Sequence, residues 1–345
     1  MANLVKVTKE TRIFLKVGGI VLGTFLLIYL GLKSTSIIQN LFFPKPPPPP
    51  KQGFGKLPHL SFPSKGTTGV QFRINTIDGQ LPKLIDRINV YRLISPEADL
   101  LALKNAKNTL SSVNFVENQV KLSDTLYQWS QTSTGVIIQY DIVTKNFTIT
   151  SNYLTNSSLL TTNLIPNEEN IKAGLIAFLA SINADTKDID FDNSTVDFLQ
   201  LKEGTLIQSG NLGDAKFAKI TLFQFPIDKI PIIYDTPTDS VLNFTVSYPA
   251  GNLQIVDGQF LHHQPDLQNK SDYPIKTATQ AFEDLKNGKA YTINPLNLTN
   301  VDITNVQVRY YLDKNTNDYL LPVIIFTGIN FTAYVDAIPN ESLQQ

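Results

Sequence analysis

The sequence predicts an α+β protein: one N-terminal transmembrane helix, a proline-rich tether, and an antiparallel-sheet-rich, two-lobed extracytoplasmic region with about three helices. Three observations carry this. Residues 17–32 read VGGIVLGTFLLIYLGL without a charge, and five consecutive prolines stand at 46–50. From about Gly69 onward, short runs rich in Val, Ile, Thr, Phe and Tyr alternate with a few stretches of helical periodicity. The expected divisions are a cytoplasmic segment at 1–12, the transmembrane helix at 13–33 and the tether at 34–66. Lobe 1 occupies 67–165 and lobe 2 166–337, with a sub-boundary near 265–274 and a tail at 338–345.

The N-terminal element is read from charge and length together. Ile13, Phe14 and Leu15 extend the apolar run to about 20 positions when Lys16 snorkels, enough to span a bilayer. Lys6, Lys9, Arg12 and Lys16 precede or enter the span against the single acid Glu10, so the positive-inside rule places the N-terminus in the cytoplasm. A cleaved signal peptide shares this pattern, but no Ala-x-Ala comes after the span. The reading is a single-pass signal anchor in membrane lipid. Next, Pro44 to Pro50 forms an extended polyproline II rod, because proline fixes φ and removes the amide donor. Such a rod lifts the extracytoplasmic region roughly 20 Å off the membrane.

In the remainder, three helices are expected. Ser95-Pro96 opens the first, with Leu100, Leu103, Ala106 and Leu110 at helical spacing; the second begins near Asn167, with Glu168 and Glu169 at its positive end and Ile171, Leu175, Phe178, Leu179 and Ile182 on one stripe. Thr277 and Gln280 stand at capping-box spacing in the third, and Gly288 marks its stop. Alternation at Val136 to Asp141, the turn Thr144-Lys145-Asn146, and Phe147 to Ile149 make a hairpin. A second joins Val241–Tyr248 to Leu253–His263 through Pro249-Ala250-Gly251-Asn252. Further strands are expected at Thr195–Leu201 and Lys216–Phe225.

The net charge of -1 conceals a gradient. Residues 1–33 carry +4 and residues 34–65 another +4, which leaves -9 on the remainder. A body so acidic lacks the basic surface that phosphate-backbone binding needs, so nucleic acid is set aside as a partner. With no cysteine, the chain has no thiolate zinc site, iron-sulfur cluster, disulfide or cysteine nucleophile.

The C-terminal segment runs from Tyr273-Pro274 through TATQAFEDLKNGKAYTI (277–293), NVQVRYYLD (305–313) and YLLPVIIFTG (319–328) to FTAYVDAI (331–338). This order of capped helix and aromatic strands resembles the extracytoplasmic domains of the YycH/YycI type and, more loosely, PepSY-like domains. The Asn167 helix, Asp185 to Asp192 and TVDFLQL (195–201) look like the preceding lobe of such a protein, so the resemblance covers about half of the chain. It implies a membrane-anchored extracytoplasmic regulator that acts on a membrane protein by contact, without catalytic residues or cofactor.

Motifs for chemistry are sparse. Of the three histidines, His59 falls in the tether, and His262 and His263 are strand neighbours that point to opposite faces and so do not chelate one metal. Asp188, Asp190, Asp192 and Asn193 mimic the start of a calcium loop, but Asn193 stands where glycine is wanted and Leu199 where glutamate should close the shell. Asp313, Asn315 and Asn317 echo the same pattern and end at Asp318 and Ile324. No HExxH, GxSxG, P-loop or Rossmann glycine pattern occurs.

The leading expectation is therefore a non-catalytic, membrane-anchored binding or regulatory module acting by protein–protein contact in the cell envelope. No catalytic, cofactor-binding or metal residue is assigned. Candidate contacts are Trp129, Arg309 and Tyr311, since Val306, Val308, Tyr310 and Leu312 alternate onto the opposite face. The alternatives are an anchored cell-envelope hydrolase using Asp188 and Asp190 in a groove between lobes, or a structural spacer of an envelope assembly.

Overall fold

Residues 11, 12 and 14–29 are helical (α1) in the computed structural model, which describes residues 11–12, 14–29, 48–63, 69–160, 165–293, 299–314 and 318–344. The chain divides into two compact units, Met1–Pro49 and Pro50–Gln345. In the first, the apolar side chains of α1 are exposed all round, Phe14, Leu22, Phe25 and Leu27 among them. The hydroxyl of its Thr24 donates back to Ile20 O at 2.7 Å. Among the described residues no helix is long and apolar enough to cross a membrane; positions 13 and 30–33 of the expected span lie outside them.

The second unit runs β1 (Gln71–Ile74), β2 (Arg87–Leu93), α2 (Ala102–Ser111), β3 (Glu117–Lys121), β4 (Leu126–Ser130), β5 (Ile137–Asp141) and β6 (Phe147–Thr150). Then come α3 (Ser157–Leu160), α4 (Glu168–Ser181), β7 (Ile189–Lys202), β8 (Thr205–Gln208), β9 (Phe217–Gln224), β10 (Ile232–Ile233), β11 (Leu242–Ser247) and β12 (Gln254–Phe260). The last part is β13 (Pro265–Pro274), α5 (Ala278–Lys286), β14 (Tyr291–Ile293), β15 (Asn300–Tyr311), β16 (Tyr319–Gly328) and β17 (Phe331–Asp336). The architecture is α+β and rich in antiparallel sheet.

Local chemistry explains the helices. Asn167 accepts from Asn170 N to cap α4, which buries Ile171, Leu175 and Leu179. Thr277 and Gln280 form the reciprocal capping box of α5, and Gly288 comes next with φ +71. α2 begins later than Ser95-Pro96 implies: the Asp99 carboxylate accepts from Leu101 N at 3.0 Å. Asp99 thus closes a turn just ahead of the helix, whose N-cap Leu101 has no side-chain cap; Leu100 is left exposed, and Ala102, Ala106 and Leu110 form the buried face.

Among the described residues the strands form two sheets. One is nine-stranded in the order β3-β4-β5-β6-β12-β11-β9-β7-β8. The other is eight-stranded, with the path β1-β15-β16-β17-β14, β10 beside β15, and β2 between β13 and β16. Both expected hairpins are present as β5–β6 and β11–β12. β6, before Pro166, pairs with β12, after it, so the boundary expected at 165/166 falls inside one sheet. The joint expected at 265–274 is strand β13, paired with β2 on either side of a looped-out stretch between Asp266 and Lys270.

The tether ends earlier than residue 66, because the eight-stranded sheet is apolar on both faces. Along β16, Ile324 and Phe326 join the main core, whereas Val323 and Ile325 face a second cluster with Tyr291, Ile293, Tyr311 and Tyr334. Leu60 and Phe62 cover that cluster, with the Phe62 ring 5.8 Å from Tyr291 and 5.5 Å from Tyr311. Just upstream, Gly53 N donates to Ser271 Oγ at 2.6 Å and Phe54 N to Tyr273 Oη at 3.0 Å. Leu57, 0% exposed, bridges to Leu343 in parallel register. Residues 51–62 are thus a strap built into the body.

Truncating a fully buried leucine removes transfer energy and leaves a cavity. Leu57→Ala is expected to lower unfolding stability by about 2 to 5 kcal/mol, read as a drop in melting temperature. A residue of a solvated tether would leave it unchanged.

Candidate functional site

The start of β7, the end of β9, the start of β11 and the end of β12 lie at one edge of the nine-stranded sheet, because neighbours in this stretch are all antiparallel. Antiparallel pairing brings the residue before one strand beside the residues after others. Asp188 precedes β7, Gln224 ends β9, and His262 and His263 come after β12, so polar groups distant in sequence converge.

His262 Nε2 lies 2.7 Å from Asp188 Oδ1, and Gln224 Nε2 donates to Asp188 Oδ2 at 2.8 Å and to His263 O at 3.0 Å. The buried Tyr234 hydroxyl donates to Gln224 Oε1 at 2.9 Å. Burial pushes the Asp188 carboxyl up, but the hydrogen bonds and charge of His262, with Gln224, together hold it below the ordinary value. Both carboxylate oxygens are engaged, and the His262 side chain is only 7% exposed beneath Asn146, whose Oδ1 accepts from His262 N. The cluster is a closed polar staple.

Asp188 also forms part of the wall of a groove of about 400 Å³ where elements of both sheets meet. Phe225 and Leu267, 50% and 53% exposed, are apolar lips; the looped-out stretch of β13 carries Leu267. Lys187 and Lys270 add positive charge, with Lys270 Nζ 5.6 Å from the Tyr91 ring centre. Asp228 sits on a tight turn with φ +50 and accepts at Oδ2 from Tyr91 Oη at 2.6 Å and Asn89 Nδ2 at 3.0 Å. Those two bonds hold its carboxyl below the usual range against partial burial, and the Lys270 charge assists. The groove therefore offers apolar area and two lysines, while its two carboxylates are bound to protein groups.

The residues expected to make contacts lie elsewhere. Trp129 is 2% exposed, packed beside Tyr127 on the inner face of β4. Tyr311 is also 2% exposed, and its hydroxyl donates to Asp235 Oδ1 at 2.7 Å. Alternation places it outward; the strap covers that side. Arg309 is half-buried, its guanidinium donating to Val308 O and Gln307 Oε1, and burial lowers its pKa. Of the residues named for hydrolysis, Asp188 reaches the groove but Asp190 does not. Asp190 accepts from the backbone and side-chain nitrogens of Asn193, a local turn that also takes up the calcium-like run. Asn315 and Asn317 lie outside the described residues, and among those described no three His, Asp or Glu side chains converge to hold a metal ion. Gln224 carries no motif in the sequence. Its signal is positional, a polar residue ending the apolar run of β9 level with Asp188 and His262.

His263 sits beside the staple with Nε2 buried and without a hydrogen-bond partner among the described residues. Burial, then the neighbouring His262 charge, lowers its pKa to about 4. The unfolded chain binds a proton near pH 6.5 and the folded chain near 4, so stability is whole above 6.5 and declines as pH falls toward 4. The loss is on the order of 3 kcal/mol. Urea unfolding of His263→Gln is expected to remove this slope between pH 6.5 and 4; an unchanged slope would assign it to other groups.

No family model matches the chain, and no curated protein matches it, so its functional reading rests on its own residues and geometry.

Proposed function

We propose that the chain is a non-catalytic, membrane-anchored extracytoplasmic module that regulates a membrane or envelope protein by contact. The observation that carries the reading is the pairing of an apolar N-terminal helix with an open groove on a separate compact unit. Every large apolar side chain described on α1 is solvent-exposed, and the hydroxyl of Thr24 is satisfied within the helix. Such a surface is stable in lipid and unfavourable in water. Basic residues ahead of it favour a body outside the cytoplasm.

Contact rather than turnover is favoured by the state of the acids. Hydrolysis needs a carboxyl or imidazole free to meet substrate or water. Asp188 gives both oxygens to His262 and Gln224, Asp190 is held by Asn193, and Asp228 by Tyr91 and Asn89. The groove presents outward Phe225, Leu267 and the two lysines, a surface suited to an apolar segment flanked by acids on a partner protein. The resemblance to YycH/YycI-type proteins points the same way.

A photo-crosslinking amino acid placed at Leu267 in intact cells tests this reading, with the same probe at the exposed turn residue Glu203 as control. The expected result is one membrane protein captured in stoichiometric yield from Leu267 and none from Glu203, with the body digested by protease added outside. Equal capture at both sites, or a body protected from that protease, contradicts the proposal.

A further inference from the structure

A second concavity, of about 680 Å³, lies between α2 and the end of β5 and shares no residue with the groove. Its volume falls within the range of small-molecule sites. Tyr140 lines it. This side chain is 3% exposed and stacked on Phe147 with ring centres 6.2 Å apart, yet its hydroxyl has no hydrogen-bond partner among the described residues. That oxygen is not among the fully buried unpartnered atoms, so it opens into the cavity, where its donor and its acceptor are both free to meet a ligand. Burial also raises its pKa to about 12, so it stays neutral and keeps its proton to donate.

The walls select the ligand class. Asn105 and Asn108 line the cavity from α2, Asn183 from the turn after α4, and Thr109 stands between them. The Asn108 side chain makes no hydrogen bond among the described residues, and Asn183 Nδ2 reaches only Thr109 Oγ1 at 3.4 Å. Amides and hydroxyls of this kind, each able to donate and accept, match the vicinal hydroxyls of a sugar. Ala102 and Ala106 leave small apolar patches for its C–H faces. Charge argues against the other classes: Glu97 and Asp99 on one lip outnumber Lys145 and disfavour a phosphate or carboxylate ligand. Among the described residues no three acids converge to hold a cation.

We propose that this cavity binds a neutral saccharide, either free or displayed on an envelope polymer. Full-length chain in a detergent without a sugar headgroup is titrated with maltotriose and with tri-N-acetylchitotriose, and saturation-transfer NMR and calorimetry track binding. Saturable binding of at least one is expected. Tyr140→Phe, which keeps the ring stack, and Asn108→Ala, on an exposed helix face, are each expected to weaken it about fivefold to tenfold with no change in melting temperature. Co-sedimentation with insoluble cell-wall polymer, competed by the bound trisaccharide, separates the two sources. Saturable binding of neither sugar, or full affinity in Tyr140→Phe, overturns the proposal.

Discussion

The body depends on one constraint: the eight-stranded sheet is apolar on both faces, so it needs a cover on the side away from the main core. Val323, Ile325, Tyr291, Tyr311 and Tyr334 line that side, and Leu60, Phe62 and Ile233 close it. An aromatic ring buries roughly 150 to 250 Å², worth several kcal/mol each at roughly 25 cal/mol per Å². Leaving that face in water would cancel much of a domain's net stability. Leu60 and Phe62 of that cover come from the segment after the proline tract, locked by Leu57 against Leu343 and by Gly53 and Phe54 against the end of β13. The compact body therefore begins at Pro50, at the end of the proline tract.

That arrangement explains why some elements are legible in the sequence and others are not. Asn167, Thr277 with Gln280, and the turns of the β5–β6 and β11–β12 hairpins act within a few residues of themselves, so their spacing identifies them. Tyr311 is misread from the same kind of local evidence. Alternation along β15 correctly buries Val306, Tyr310 and Leu312, but the reading that the other face is wet fails because the strap arrives from some 250 residues away. Trp129 fails more simply, being on the inner face of β4. β13 is hidden because its polar run DLQNKSDY lacks an apolar pattern; it is recruited by backbone pairing to β2 and by the buried ring of Tyr273 at its end.

The candidate site shows the same division between near and far. Asp188 and His262 are each visible as polar residues at strand ends, yet only the pairing order of β7, β9, β11 and β12 brings them together with Gln224. Removing one partner of such a buried set is costly, whereas the intact set contributes little net stability. Its value here is geometric: it pins three strand ends and so positions Lys187, Phe225 and Gln264 around the groove. The acidic body thus spends several carboxylates internally, on His262, Asn193, Tyr91 and Asn89, and the face it exposes at the groove is apolar and cationic.

If the strap is part of the body, its amides must be closed to solvent to the same degree as the sheet they cover. Hydrogen–deuterium exchange of the native chain tests this directly at Phe54 and Leu57, whose N–H groups donate to Tyr273 Oη and Ser342 O. The structure predicts that these amides exchange through global unfolding, with the same protection as Ile324 and Phe326 in β16. Exchange at the rate of a free peptide, while β16 stays protected, would contradict it.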